Sequence, residues 1–98
     1  LLAGCGPEYG EVRKIEHYLP NGKVDIYYVE IHDIYESSGD ALSFIDLYGN
    51  DVSIQGTYKM TVVKEFDFVR MNKNISYEEA EKMYKKAAEE DMKSNNIK

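Results

Sequence analysis

The chain has 98 residues, 43% of them hydrophobic, with nine tyrosines, three phenylalanines, no tryptophan, one cysteine and a formal net charge of −6. That length fits one domain with a modest core, and a single cysteine excludes an internal disulfide. The negative balance argues against nucleic acid as a partner, because phosphate binding needs a basic face, and no run approaches the roughly 18 apolar residues of a membrane span.

The first segment is Leu1-Leu2-Ala3-Gly4-Cys5, which carries the only cysteine. Leu2-Ala3-Gly4-Cys5 resembles the lipobox of bacterial lipoproteins, where an aliphatic residue and two small residues lead into a lipidated cysteine. The resemblance implies that residues 1–4 are the remnant of a signal peptide, that cleavage falls between Gly4 and Cys5, and that Cys5 carries a diacylglyceryl group through its thiol. It also implies a lipid-anchored, extracytoplasmic location at a bacterial cell membrane. In a diderm this would be the outer membrane, since Gly6 stands where an aspartate would resemble a retention signal. Two acyl chains attach a protein stably where one does not. Residues 5–10 are then anchor and tether, and the five residues after the cysteine reach only about 17 Å when extended.

Residues 11–68 carry the β pattern. Glu11 to Tyr18 alternates around Val12 and Ile15. Leu19-Pro20-Asn21-Gly22-Lys23 is a turn, and its Asn-Gly pair suits the positive φ angles of a tight hairpin. Val24 to Tyr35 follows, with an apolar phase that changes near His32-Asp33 and predicts a bulge or bend there. Ser37 to Asp40 turns again, Ala41 to Tyr48 forms a third strand, and Gly49-Asn50-Asp51 makes the next turn. Val52 and Ile54 alternate with Ser53 and Gln55 up to Gly56, and Tyr58, Met60 and Val62 continue with the same period toward Phe66 and Phe68.

The period then changes. Ser76 and Glu79 form a capping box at the start of a helix over residues 75–94, whose thin stripe is Tyr77, Ala80, Tyr84, Ala87 and Ala88. The fold expected is mainly β with a C-terminal helix, a small curled five-stranded sheet or partly open barrel. The cadence Phe44 to Gly56, with its Gly-Asn turn, resembles small SH3-like barrel lipoproteins of phages and conjugative elements. That resemblance rests on turn chemistry and not on a site.

No catalytic constellation stands out, so the chain does not read as an enzyme, and no cofactor motif is present. His32 and Asp33 are adjacent strand residues and point to opposite faces. Glu30 and His32 share a face, but two ligands are too few for a metal site. Asp46, Asn50 and Asp51 lack the spacing of a calcium loop. What exceeds background is the stretch from Val24 to Tyr58, with seven carboxylates, five tyrosines and not one Lys or Arg. Tyrosines bury area while keeping a polar tip, and complementary charge steers encounter. Asp25, Tyr27, Glu30, Tyr35, Asp46 and Tyr48 are the expected contacts for a basic protein partner.

The function expected is therefore a membrane-anchored, non-catalytic binding or blocking module. The lipoproteins that it resembles act in superinfection or conjugation exclusion. Alternatives are a lysozyme-type enzyme inhibitor, although Ser38-Gly39-Asp40-Ala41-Leu42 lacks the tyrosine of such an inhibitor's loop, and an acidic mimic of nucleic acid if the lipobox is accidental.

Overall fold

The structure is a computed structural model that describes residues 9–67 and 76–96. The lipobox residues, Phe68 and the link into the helix lie outside the described residues. Among the described residues five strands and one helix follow in chain order: β1 (Tyr9–Tyr18), β2 (Val24–Ser38), β3 (Ala41–Asp46), β4 (Asp51–Gln55), β5 (Tyr58–Asp67) and α1 (Tyr77–Asn96). The strands form one antiparallel sheet in the order β4-β3-β2-β1-β5. The sheet is not closed. The fold is thus mainly β with a C-terminal helix, as expected for a small curled sheet or partly open barrel.

Chain length between strands forces the curl. Only Gly56 and Thr57 link β4 to β5, which occupy opposite edges. Edges of a flat five-stranded sheet would lie about 19 Å apart, and a two-residue link spans about 10 Å at most. The edges must therefore approach at this end. There the Thr57 carbonyl accepts the Tyr18 amide at 3.0 Å, and His17 Nε2 lies 3.0 Å from the Gln55 carbonyl.

The turns follow the local chemistry, with one correction. Of the Asn-Gly pair only Gly22 takes a positive φ, and Asn21 does not. Gly22 donates to the Leu19 carbonyl at 3.0 Å and Leu19 donates to the Lys23 carbonyl at 2.8 Å, a type I turn closed by a bulge. Pro20 sets a negative φ at the first turn position, so the left-handed residue falls on Gly22, at φ +87°. The β3–β4 turn repeats this construction. Gly49 donates to Asp46 and Asp46 to Asn50, which ends β3 at Asp46 and not at Tyr48.

The phase change expected near His32-Asp33 is present. Pairing between β2 and β3 shifts register between Val29 and Ile34 and again between Ile34 and Glu36. Val29 and Ile34 therefore reach the same side although they are five positions apart. A second shift, opposite Val12 and Arg13, lets Val63 and Phe66 of β5 pack on one face.

These shifts sort the apolar side chains into two cores on opposite faces. Inside the curl, Ile15, Val29, Leu42, Phe44 and Ile54 are buried, flanked by Tyr27, Ile34, Val52, Tyr58 and Met60. On the outer face, Val12 and Tyr28 meet Ala80, Tyr84 and Ala88 of α1, with Leu47, Val63, Phe66 and Met92 around them. Tyr77 is 76% exposed and does not belong to the docking stripe, because it sits in the first turn of α1, before the helix meets the sheet. The capping box forms as expected. The Glu79 amide donates to Ser76 Oγ at 3.2 Å, and the Ser76 amide donates to Glu79 Oε1 at 3.4 Å.

Asp91 pins the far end of α1. It accepts the Tyr28 hydroxyl at 2.6 Å and lies 3.5 Å from Lys14 Nζ, so one carboxylate ties the helix to β1 and β2. Alanine-rich packing contributes little area, which makes this polar tie a large share of the docking. Asp91→Ala is expected to destabilise the domain by about 1–2 kcal/mol. Amide exchange should accelerate in α1 before the sheet opens; unchanged protection of α1 would show that the tie does not hold it.

Candidate functional site

The acidic, tyrosine-rich stretch is divided by the fold into three places. On β2, alternate residues point to opposite faces, and the bulge inverts the order midway. Asp25 is exposed opposite His17 of β1. Tyr27 lies two residues further on the same face, half-buried, with its ring edge-on to Phe44 at 5.5 Å. Burial pushes the Tyr27 hydroxyl above the ordinary tyrosine range, and the charges of Asp25 and Asp46 push it further. Asp25, Tyr27 and Asp46 therefore come together.

Asp46 is committed to its own turn. Its Oδ1 accepts the amides of Tyr48 and Asn50, each at 2.9 Å, and its Oδ2 accepts Asn50 Nδ2 at 3.2 Å. This side chain holds the β3–β4 turn in shape. Tyr48, carried by that turn, is 49% exposed and leans toward the helix, where Lys85 Nζ stands 5.9 Å from its ring centre. Burial raises the Tyr48 hydroxyl first, and Glu89 and Asp46 add to it.

Glu30 is in a different place. It lies beside Val12 on the helix-side face and is only 7% exposed. Its Oε2 accepts the His32 amide at 2.9 Å, whereas its Oε1 is buried with no hydrogen-bond partner. His32 Nε2 stands 4.0 Å from that oxygen and is itself exposed. Burial drives the Glu30 carboxyl above the usual carboxylate range. The His32 ring and the backbone of His32 and Glu11 oppose this, while Asp33 reinforces it. Tyr84 of α1 faces the same spot, and its hydroxyl is raised by burial and then by the Glu30 and Asp33 charges.

Tyr35 stands on the outer face beyond the bulge, 57% exposed. It reaches across β3 to β4, donating its hydroxyl to Asp51 Oδ1 at 2.6 Å. That bond is the main reason its hydroxyl titrates high. Beneath it Ser43 and Ser53 are joined at 2.9 Å, and Ile45 beside them is 42% exposed. Asp51, Ser43, Ser53 and Ile45 were not expected as contacts. Their period-two spacing places each pair on one face, but only the strand register joins the pairs under Tyr35.

Two further concave places among the described residues are open. A hollow of about 500 Å³ at the curled end is lined by His17, Tyr18, Leu19, Pro20, Gln55, Gly56 and Thr57. The outward face of α1 groups Lys82, Lys85, Lys86 and Lys93 with Glu89 and Glu90. Among the described residues neither histidine is bonded to a serine, and no group of three or more His, Cys, Asp or Glu could hold a metal ion. Among the described residues no helix is long and apolar enough to cross a membrane. The chain matches no protein-family model, no curated protein and no solved structure.

Glu30 generates a pH prediction. An acid raised by folding stabilises the protein below its unfolded value, and that contribution is lost as the pH rises through the folded value. Glu30→Gln keeps the His32 amide bond and removes the buried charge. It should exceed the wild type at neutral pH by about 1 kcal/mol, roughly 4–8 °C in Tm. The gap should narrow toward pH 4. Thermal melts across that range check it, and a constant gap would exclude the carboxyl as its source.

Proposed function

We propose that the chain is the extracytoplasmic domain of a bacterial lipoprotein, anchored through Cys5, and that it binds and blocks a basic protein at the membrane without catalysing a reaction. One observation carries the binding part of this reading. Between Val24 and Tyr58 the chain bears carboxylates and exposed tyrosines with no Lys or Arg, and among the α1 lysines Lys85 approaches this stretch, at the Tyr48 ring. Such a stretch favours encounter with a positively charged surface and disfavours acidic partners.

The anchoring part rests on Leu2-Ala3-Gly4-Cys5, only a few residues ahead of β1. A strand of ten residues is about 33 Å long. With its first residues beside the bilayer, β1 carries the β1–β2 hairpin away from the membrane, and the sheet stands as a short post. A post of this kind acts by occupying a surface of a delivery or transfer component, which is the exclusion role of the lipoproteins that the chain resembles.

Intact mass of the protein purified from membranes of a bacterial host expressing the complete gene tests the reading. The expected species begins at Cys5 and carries a diacylglyceryl group, with or without a further acyl chain. Cys5→Ala should move the protein wholly to the soluble fraction without lowering its Tm. An unmodified chain in the soluble fraction would overturn the anchor.

A further inference from the structure

α1 packs on the outer face around Val12 of β1, Tyr28 of β2 and Val63 and Phe66 of β5; it leaves Val24 and Ile26 at the start of β2 exposed, and the part of that face beyond the β2 bulge, over β3 and β4, bare. The bare part presents Tyr35 and Ile45, 57% and 42% exposed, over the Ser43–Ser53 pair, with Glu36 and Asp51 at its margins. We propose that this face is a receptor for an arginine side chain of the basic partner, with the guanidinium stacked on the Tyr35 ring and hydrogen-bonded to the Asp51 carboxylate. The proposal deepens the reading of the chain as a binder of a basic protein, and rests on it.

Three observations select arginine. The Tyr35 hydroxyl is held by Asp51 Oδ1 at 2.6 Å, so the ring is oriented before a partner arrives and little freedom is lost on binding. Its exposed position offers a face to a planar cation, and the carboxylate at its tip has a second oxygen for an N–H. A guanidinium can do both at once, whereas an ammonium is a point charge that stays hydrated. Finally, β2, β3 and β4 contain no Lys or Arg, so no cation on these strands competes for the place. Ile45 supplies the apolar floor on which the aliphatic stem of the arginine can lie.

The test is a two-dimensional NMR titration of the soluble chain at low salt with the peptide acetyl-Gly-Arg-Gly-Arg-Gly-amide, beside its lysine and citrulline counterparts. The arginine peptide should shift the amides of Tyr35, Ile45, Asp51 and Ser53, and should bind about tenfold more tightly than the lysine peptide. Citrulline, with the same shape and no charge, should leave those amides unmoved. Asp51→Asn and Tyr35→Leu should each weaken binding about tenfold, and the rest of each spectrum shows whether the variant is folded. Equal binding of the arginine and lysine peptides overturns the proposal. Shifts centred on Asp25 and Tyr27 also overturn it, while keeping a basic partner. No shift with any cationic peptide at millimolar concentration overturns both. Because the soluble chain is used, the presence or absence of lipid on Cys5 does not alter the result.

Discussion

Gly56 and Thr57 are all the chain that separates β4 from β5, and those strands lie on opposite edges of the sheet. A link this short cannot cross a flat sheet, so the strands must coil until their edges approach. The rest of the molecule follows from that constraint. Curling gives the sheet an inside, where Phe44, Ile15, Leu42 and Val29 are buried. Burial of each such side chain is worth about 1.5–3 kcal/mol, which is how a chain without a disulfide can hold this fold.

An inside also implies an outside, and α1 covers only part of it. The helix rests on Val12, Tyr28, Val63 and Phe66 through alanines and Tyr84, and Asp91 ties it to Tyr28 and Lys14. Small residues let the helix approach closely but bury little, so polar contacts set where it stops. Charge is arranged in the same sense along its axis, with Glu78 and Glu79 in the first turn and Lys93 in the last. The cost of this packing is Glu30, which is shut between β2 and the helix with one oxygen unpaired. A domain that stands close to zero net stability tolerates few such groups, and this one makes the helix-side face sensitive to protonation.

The strands away from the helix keep their outer face open, and there the tyrosines and carboxylates are paired with each other instead of with lysines. Tyr35 with Asp51 and Ser43 with Ser53 form short cross-strand contacts that stiffen the face without covering it. Asp46 works differently, since its carboxylate is consumed in holding the β3–β4 turn. Residues of one type in one stretch thus serve as turn clamp, buried charge and exposed contact.

Local patterns determined most of the elements: strands by period two, turns at the glycines, the capping box at Ser76, and the bulge where the apolar phase of β2 inverts. These are legible because each depends on residues a few positions apart. At Asn21-Gly22 Pro20 outweighs the Asn-Gly preference, and Tyr77, although it shares the helical spacing of the stripe, is exposed. The candidate site was legible only as composition. Asp25, Tyr27, Glu30, Tyr35, Asp46 and Tyr48 do not share a surface, and Asp51, Ser43 and Ser53 join Tyr35 through β3 and β4. That grouping belongs to the tertiary structure alone, because it depends on which strands are neighbours and in what register, and register is set by long-range pairing and by the short link that closes the curl.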